Sequence, residues 1–497
     1  MLTESGTGPD LAPSGELPVY EPHGPREECG VLGIYAPEAP VVRLAHVGLH
    51  ALQHRGQESA GIAASDGYQL RLHKRLGLVS QVFDEETIGG LEASEPGGRG
   101  PARIAIGHTR YSTTGSNTLP NVQPVYAHSD LGELMLGHNG NVMNAASLRD
   151  ELGEQGVEFT TASDTEVLAK FIAHAPGRSW APRVEQAFRR VTGASTFTML
   201  TATALIAARD PIGFRPLVLG RFGGRGGWAV ASESVALDAM GATFLRDVDA
   251  GEILTIDAEG VHSHRSQPTG DRERLCLFEF VYLARPDSVM DGRLLYEARL
   301  AMGRRLAVEH PAEADLVMPV PDSAIPAAIG YAEQAQLPYR EGLIKSRYVG
   351  RTFIQPLQSS REEAVRMKFN PLPEILRDRR VVVVDDSIVR GTTTGPIVAM
   401  LRRAGAREVH VRIHSPQMRY PCYMGVDTGR RSELIAASHT TEQIRQRIGA
   451  DSLGYLSQRG LLEAVGGRTD ARCTACFDGR YPTDVPLDID KFALERG

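Results

Sequence analysis

Four valines, Val381-Val382-Val383-Val384, run straight into Asp385-Asp386-Ser387-Ile388-Val389-Arg390 and then Gly391-Thr392-Thr393-Thr394. Two carboxylates and a turn rich in hydroxyls therefore follow one apolar run. Paired carboxylates can accept hydrogen bonds from vicinal ribose hydroxyls or hold Mg²⁺ through oxygen, and the 390–394 turn offers backbone N–H groups and hydroxyls to a phosphate at a helix N-terminus. Both ends of a ribose 5-phosphate are served, so the stretch reads as a sugar-phosphate cradle. An ordinary strand-to-helix crossover can carry a polar loop, but it does not require strand, paired acids and hydroxyl-rich turn in this order.

The elements that must position these groups are legible around them. Four β-branched residues in a row predict a strand buried on both faces, as in a parallel α/β sheet whose ligands bind beyond the carboxyl ends of the strands. Ile397, Val398, Met400 and Leu401 keep helical spacing up to a stop at Gly405, so a helix opens where the phosphate turn ends. Apolar runs at 316–320, 381–384 and 409–413 alternate with helical stretches and predict a doubly wound, mostly parallel sheet in the C-terminal half. In the N-terminal half, short runs at 104–107, 134–137 and 205–208 are separated by Gly/Asn/Asp turns, with a helical stretch at 165–175. That pattern predicts mixed α and β structure with antiparallel sheets. Turn formers and charge at 262–274 read as the linker between the halves.

A chain of 497 residues is long enough for two or more domains. A net charge of −7 argues against general nucleic-acid binding, which needs a basic face. No apolar run is long enough to span a bilayer, and residues 1–28 are rich in Pro, Gly and Glu without the apolar core of a signal peptide. No membrane or nucleic-acid partner is expected, and the cytosol is the expected compartment. Five cysteines, Cys29, Cys276, Cys422, Cys473 and Cys476, are too few and too scattered for a secreted disulfide framework.

The 381–394 stretch resembles the phosphoribosyl pyrophosphate (PRPP) signature of type I phosphoribosyltransferases. That resemblance implies PRPP contacts from Asp385, Asp386, Ser387, Arg390, Gly391, Thr392, Thr393 and Thr394. It also implies that the loop Val320-Pro321-Asp322-Ser323-Ala324 binds pyrophosphate, with Ser323 joining Asp385 and Asp386 around Mg²⁺. Between these loops, residues 342–356 place Lys345 and Arg351 in a basic, aromatic segment with glycines at both ends. It reads as a lid that closes on PRPP and excludes water. Arg366, Met367 and Lys368 add candidate anion contacts.

Cys29 opens a strand-like run, Cys29-Gly30-Val31-Leu32-Gly33-Ile34. With Leu52-Gln53-His54-Arg55-Gly56-Gln57-Glu58-Ser59-Ala60-Gly61, Gly107-His108-Thr109-Arg110-Tyr111-Ser112-Thr113, Gly137-His138-Asn139-Gly140-Asn141 and Ser163-Asp164-Thr165-Glu166, it resembles the glutaminase domain of the N-terminal-nucleophile amidotransferases, an αββα fold. The resemblance implies Cys29 as nucleophile with its own α-amine as base. It assigns Arg110 to the glutamine α-carboxylate, Asp164 to the α-ammonium, and Asn139 and Gly140 to the oxyanion hole. His108 and His138 are expected to be structural. A free amine on Cys29 requires cleavage after Glu28, so residues 1–28 are expected to be a propeptide.

Three separate locations carry the other four cysteines, and thiolates converging from them suit a tetrathiolate centre, iron–sulfur or zinc. Their flanks, 276–288 and 473–479, resemble the cluster-bearing branch of the glutamine PRPP amidotransferases. That implies one [4Fe-4S] cluster on Cys276, Cys422, Cys473 and Cys476 beside one Mg²⁺. The expected plan is propeptide 1–28, glutaminase domain 29–261, linker 262–274, phosphoribosyltransferase domain 275–481 and tail 482–497. The expected reaction makes 5-phosphoribosylamine, glutamate and pyrophosphate from glutamine and PRPP, the first committed step of purine synthesis. The resemblance further implies a homo-oligomer, typically a tetramer, inhibited by purine nucleotides. The alternatives are another amidotransferase of the same N-terminal class, such as one making glucosamine 6-phosphate, and a PRPP-sensing regulator without turnover.

Overall fold

The computed structural model describes residues 29–93, 100–111, 116–224, 226–266, 273–346, 367–426, 428, 430–485 and 494. The expected propeptide, Ser112 and Thr113, residues 347–356 of the expected lid with Arg351, and Arg366 lie outside them.

Thirteen strands precede residue 266: β1 Gly30–Tyr35, β2 Ser59–Ser65, β3 Leu70–Leu76, β4 Ile104–Arg110, β5 Val125–Ser129, β6 Gly132–Val142, β7 Gly193–Thr201, β8 Leu205–Ala208, β9 Val218–Phe222, β10 Trp228–Ala231, β11 Ala242–Asp247, β12 Glu252–Asp257 and β13 Gly260–Arg265. They form two sheets, in the orders β11-β9-β10-β1-β4-β2-β3 and β13-β12-β8-β7-β6-β5. Side chains alternate between the two faces of a strand, and β1 shows the consequence. Val31 joins Ile104, Ile106, Leu200, Leu205 and Leu254 in the core between the sheets. Leu32 and Ile34 turn the other way, onto Val42 and Leu49 of the helix Val41–Ala51. On the far side, Leu134, Leu136, Phe197 and Met199 pack on Val167, Leu168 and Phe171 of the helix Asp164–His174. The layers are thus helix, sheet, sheet, helix. Ser163 caps the Asp164–His174 helix by accepting from Thr165 N at 3.2 Å, which starts it one residue before the apolar spacing does.

In the second half a parallel sheet has the order β14 Leu316–Pro319, β15 Arg380–Asp385, β16 Glu408–Ile413, β17 Ser452–Tyr455. Its two faces are covered by different cores. Val382 and Val384 pack with Leu306, Ala327 and Tyr331, whereas Val381 and Val383 pack with Met318, Ile397 and Leu401. The expected burial of both faces of the valine strand is what the structure has. The helices Leu295–Glu309 and Ile325–Ala335 meet at two glycines: a Cβ on Gly303 would sit 1.8 Å from Ala327 O, and one on Gly330 2.0 Å from Leu300 O.

One boundary is corrected. Residues 262–265, expected to begin the linker, are paired to β12 along their whole length. β13 is an edge strand whose outward residues His262, Ser263 and Arg265 are polar or charged, so it lacks the apolar alternation that marks a strand.

Candidate active sites

Asp385 ends β15, and Asp386 begins the loop beyond it. Asp386 is clasped from both sides: Ser323 Oγ donates to Oδ2 at 2.6 Å and Ser387 Oγ to Oδ1 at 2.7 Å, while Asp386 N donates to Asp385 Oδ1 at 2.9 Å. Ser323 comes from the loop after β14, so adjacent parallel strands deliver both halves of this cluster. Burial, then the neighbouring Asp386 charge, pushes the Asp385 carboxyl well above the usual carboxylate range. Two adjacent carboxylates that resist joint ionisation are a donor set suited to a hard divalent cation such as Mg²⁺.

These acids border a cavity of about 300 Å³ that is also lined by Ser323, Lys345 and residues 387–394. Gly391 has φ +72°, and a Cβ there would lie 2.7 Å from Ile435 Cδ1. Only glycine brings the turn this close to the 435 wall. Thr394 starts the helix Thr394–Arg403, leaving its N-terminal N–H groups toward the cavity mouth. Arg390 pairs with Glu433 at 2.5 Å, and its buried Nε has no hydrogen-bond partner among the described residues. Lys345 Nζ contacts Asp322 Oδ2 at 2.5 Å.

Two buried groups behind Asp386 had no sequence signal. Arg299 donates to Phe280 O at 2.9 Å and Ala284 O at 2.6 Å. Burial pulls it down to about 10, with Asp386 and Glu233 opposing. His414, pulled by burial to about 4 against the opposing charge of Asp386, meets Val281 O at 3.3 Å. Single residues inside a helix and at a strand end, they carry no motif.

The second constellation lies in the N-terminal half. Cys29 is buried just ahead of β1, and its thiol donates to Tyr111 O at 3.5 Å. Burial pushes that thiol up to about 12, opposed by the Tyr111 bond and Arg110 and reinforced by Asp164 and Glu58. A thiol this protonated needs a base to become a nucleophile. Arg110, at the end of β4, is buried, as is Asp164, which accepts from Val142 N at 3.0 Å. Asn139 is buried on β6, and neither its amide nitrogen nor its oxygen has a partner among the described residues. Beside it Gly140 has φ +150°, and a Cβ would strike Ala194 O at 2.1 Å. An unsatisfied buried amide is costly, and here its donors are free to meet a developing oxyanion. The two histidines are tied to backbone, His108 Nε2 to His138 O at 3.0 Å and His138 Nε2 to Ala194 O at 3.1 Å. Burial holds His108 neutral, down to about 3.

The two halves meet at a buried charge cluster and at a loop. Arg55 contacts Glu233 through Nε and Glu279 through a terminal nitrogen at 2.6 Å, while Glu233 also takes His54 Nε2 at 2.6 Å and Ser288 Oγ at 2.6 Å. Burial opposes ionisation of Glu233, yet Arg55 and His54 hold its carboxyl far below the usual range. His54, Arg55 and Glu279 stand inside the motif blocks quoted above, but their pairing spans most of the chain and leaves no local pattern. In the loop, Asn141 Nδ2 donates to Tyr423 O at 2.9 Å, and a Cβ on Gly425 would lie 3.1 Å from the Gly140 carbonyl.

Cys422, just before that loop, joins Cys276, Cys473 and Cys476 around one apolar cavity with Phe214, Phe278 and Met424. Cys276 and Cys473 are partners in a parallel bridge. Burial, then the charges of Cys276, Cys473 and Cys422, raises the Cys476 thiol well above its ordinary value, so these sulfurs ionise together only with a compensating cation. Among the described residues, however, no three or more His, Cys, Asp or Glu side chains already stand as a group that could hold a metal ion. The four cysteines converge on one cavity without being drawn to ligation distance.

Comparison with known proteins follows the same division. Residues 108–239 match the model of a glutamine amidotransferase domain. The chain is 48% identical to the amidophosphoribosyltransferase of Synechococcus elongatus, over 96% of both chains. It is 48% identical to that of Bacillus subtilis (94% of this chain, 96% of the relative) and 49% to that of Archaeoglobus fulgidus (92% and 98%). A solved structure of the allosteric regulatory enzyme of purine biosynthesis superposes with a TM-score of 0.86 at 46% identity, covering 94% of this chain and 99% of that one. The glutamine PRPP amidotransferase from B. subtilis, complexed with ADP and GMP, superposes with 0.85 at 46% identity, covering 93% and 99%.

Proposed function

The chain belongs to the amidophosphoribosyltransferase family, the purine-biosynthetic pentosyltransferases, and on that premise we propose which of its residues carry each half of the reaction. The observation that carries the reading is the pairing of two constellations in one chain: an acid pair at the carboxyl end of a parallel strand with Asp386 clasped by Ser323 and Ser387, and a buried thiol beside Arg110, Asp164 and an unpartnered Asn139.

In the first half-reaction Cys29 Sγ attacks the glutamine amide carbon, and the Cys29 α-amine, freed by cleavage after Glu28, takes the thiol proton. Arg110 and Asp164 hold the α-carboxylate and α-ammonium, while Asn139 Nδ2 and Gly140 N donate to the oxyanion. Ammonia leaves, and water hydrolyses the Cys29 thioester to glutamate. In the second, ammonia attacks the anomeric carbon of PRPP and pyrophosphate departs. Asp385 and Asp386 hold the ribose hydroxyls, the 390–394 turn holds the 5-phosphate, and Lys345 and Arg351 close over the pyrophosphate.

Mg²⁺ bound at Ser323, Asp385 and Asp386 would neutralise the departing pyrophosphate. Cys276, Cys422, Cys473 and Cys476 would hold the [4Fe-4S] cluster as a structural cross-link, since the cavity they share is apolar and its lining includes none of the residues proposed for glutamine or PRPP. Inhibition by purine nucleotides, a homotetramer and a cytosolic location belong to the same reading. Nucleotide control is supported by the ADP and GMP complex of the B. subtilis relative. Among the described residues no helix is long and apolar enough to cross a membrane.

The testing experiment is PRPP-dependent release of glutamate from glutamine by protein purified without air. Equal release with and without PRPP, and no pyrophosphate, would remove the transferase half of the reading.

A further inference from the structure

Lys74 lies on β3 opposite Gly61 of β2, outside every motif. Its ammonium turns onto the 116–124 loop and donates to the carbonyls of Pro120 (3.5 Å), Val122 (2.5 Å) and Pro124 (3.3 Å). An ammonium has three N–H donors and no acceptor, so these carbonyls use it fully. The loop is pressed onto the sheet at the same point, since a Cβ on Gly61 would lie 2.2 Å from Gln123 O.

Side chains of this loop reach three parts of the glutaminase constellation. Asn121 Nδ2 donates at 2.9 Å to Ser116 O, the carbonyl that also accepts from Arg110 at 3.4 Å. Asn121 Oδ1 accepts from Ala162 N at 3.0 Å, two residues before Asp164. Gln123 Oε1 accepts from His138 N at 2.7 Å, next to Asn139. The Arg110 guanidinium and the backbone segments carrying Asp164 and Asn139 are therefore tied to one loop, onto which the Lys74 ammonium is bonded.

We propose that Lys74 is a positioning residue for the glutamine half-site: its ammonium fixes the 116–124 loop and thereby sets Arg110, Asp164 and Asn139 in register with one another. This rests on the reading of those three as glutamine contacts. Lys74 itself touches no substrate. Half-burial pulls its ammonium down to about 8, with Glu166 opposing and Arg110 assisting, so the carbonyls rather than bulk water solvate it. A half-buried cation spent on three carbonyls of one loop is a means of preorganisation, which is what binding a small zwitterion at fixed geometry requires.

The test uses the full-length enzyme, with synthesis measured from glutamine and, separately, from ammonia. Lys74→Met should raise KM for glutamine about 10- to 100-fold, the scale of a small misplacement of binding groups, while the ammonia-dependent rate changes by less than about twofold. Lys74→Arg should recover most of the affinity. Asn121→Ala should reproduce the defect, and the double variant should show less than the product of the two effects, because both act through one loop. An unchanged glutamine KM in Lys74→Met, or equal losses with glutamine and ammonia, would overturn the proposal. If Lys74→Met does not accumulate as folded protein, a normal glutamine KM in Asn121→Ala overturns it instead. Arg110→Leu separates the two levels. An unchanged glutamine KM there would refute the assignment of the glutamine contacts themselves.

Discussion

The Arg55 guanidinium reaches the Glu279 carboxylate at 2.6 Å across 224 positions of sequence, and both side chains are almost wholly shielded from solvent. Arg55 belongs to the glutaminase half and Glu279 to the transferase half, so the pair fastens one to the other. Removing one member of a buried ion pair costs about 3–5 kcal/mol where it leaves a charge uncompensated. Arg55→Met, which takes the guanidinium from both Glu233 and Glu279, should destabilise the enzyme by that amount in chemical denaturation, and Glu279→Gln, which leaves Arg55 its bond to Glu233, by less. A loss below about 1 kcal/mol in Arg55→Met, the size of an exposed pair, would show that the contact is not closed in solution.

The two constellations should fail independently. Cys29→Ser should lower glutamine-dependent synthesis by more than about 10⁴-fold, as loss of a covalent nucleophile does, and leave synthesis from ammonia intact. Asp385→Asn combined with Asp386→Asn should abolish synthesis from either nitrogen donor while the protein stays folded. Loss of both activities in folded Cys29→Ser, or normal PRPP turnover in the double variant, would refute the division of labour.

Activity with glutamine should appear only when the chain begins at Cys29. Burial keeps the thiol protonated, and the proposed base, the Cys29 α-amine, exists only after cleavage. Intact-mass measurement on active protein checks this. Full glutaminase activity with residues 1–28 attached is the contrary result.

Protein prepared without air should be brown and carry about four irons per chain. Iron chelation should release a constraint joining three distant segments and lower the thermal midpoint. Stoichiometric zinc with no iron would overturn the cluster while leaving both half-reactions as assigned.

The proposed transferase site is legible because its chemistry is contiguous. A strand, two acids and a hydroxyl-rich turn occur within 381–394, and local pattern suffices when one strand end delivers the groups. Arg110, Asn139 and Asp164, proposed above as glutamine contacts, are legible only as motif blocks, since three separate elements bring them together. Residues 262–265 of the edge strand β13 read as linker because their polar, largely exposed side chains give no apolar alternation to read. Lys74, Arg299, His414 and the Arg55–Glu279 pair were invisible for another reason. Each works through backbone carbonyls or a remote partner, and hydrogen bonds to carbonyls place almost no demand on the sequence of the segment that supplies them.

Gly140 and Gly425 come from opposite halves of the chain: a Cβ on Gly425 would press on the Gly140 carbonyl at 3.1 Å, and one on Gly140 would strike Ala194 O at 2.1 Å. Both also occupy left-handed backbone, at φ +150° and +108°. In genetic terms the seam between the halves rests on two codons at which every missense change adds a strained side chain, although neither glycine supplies a side chain to any reaction.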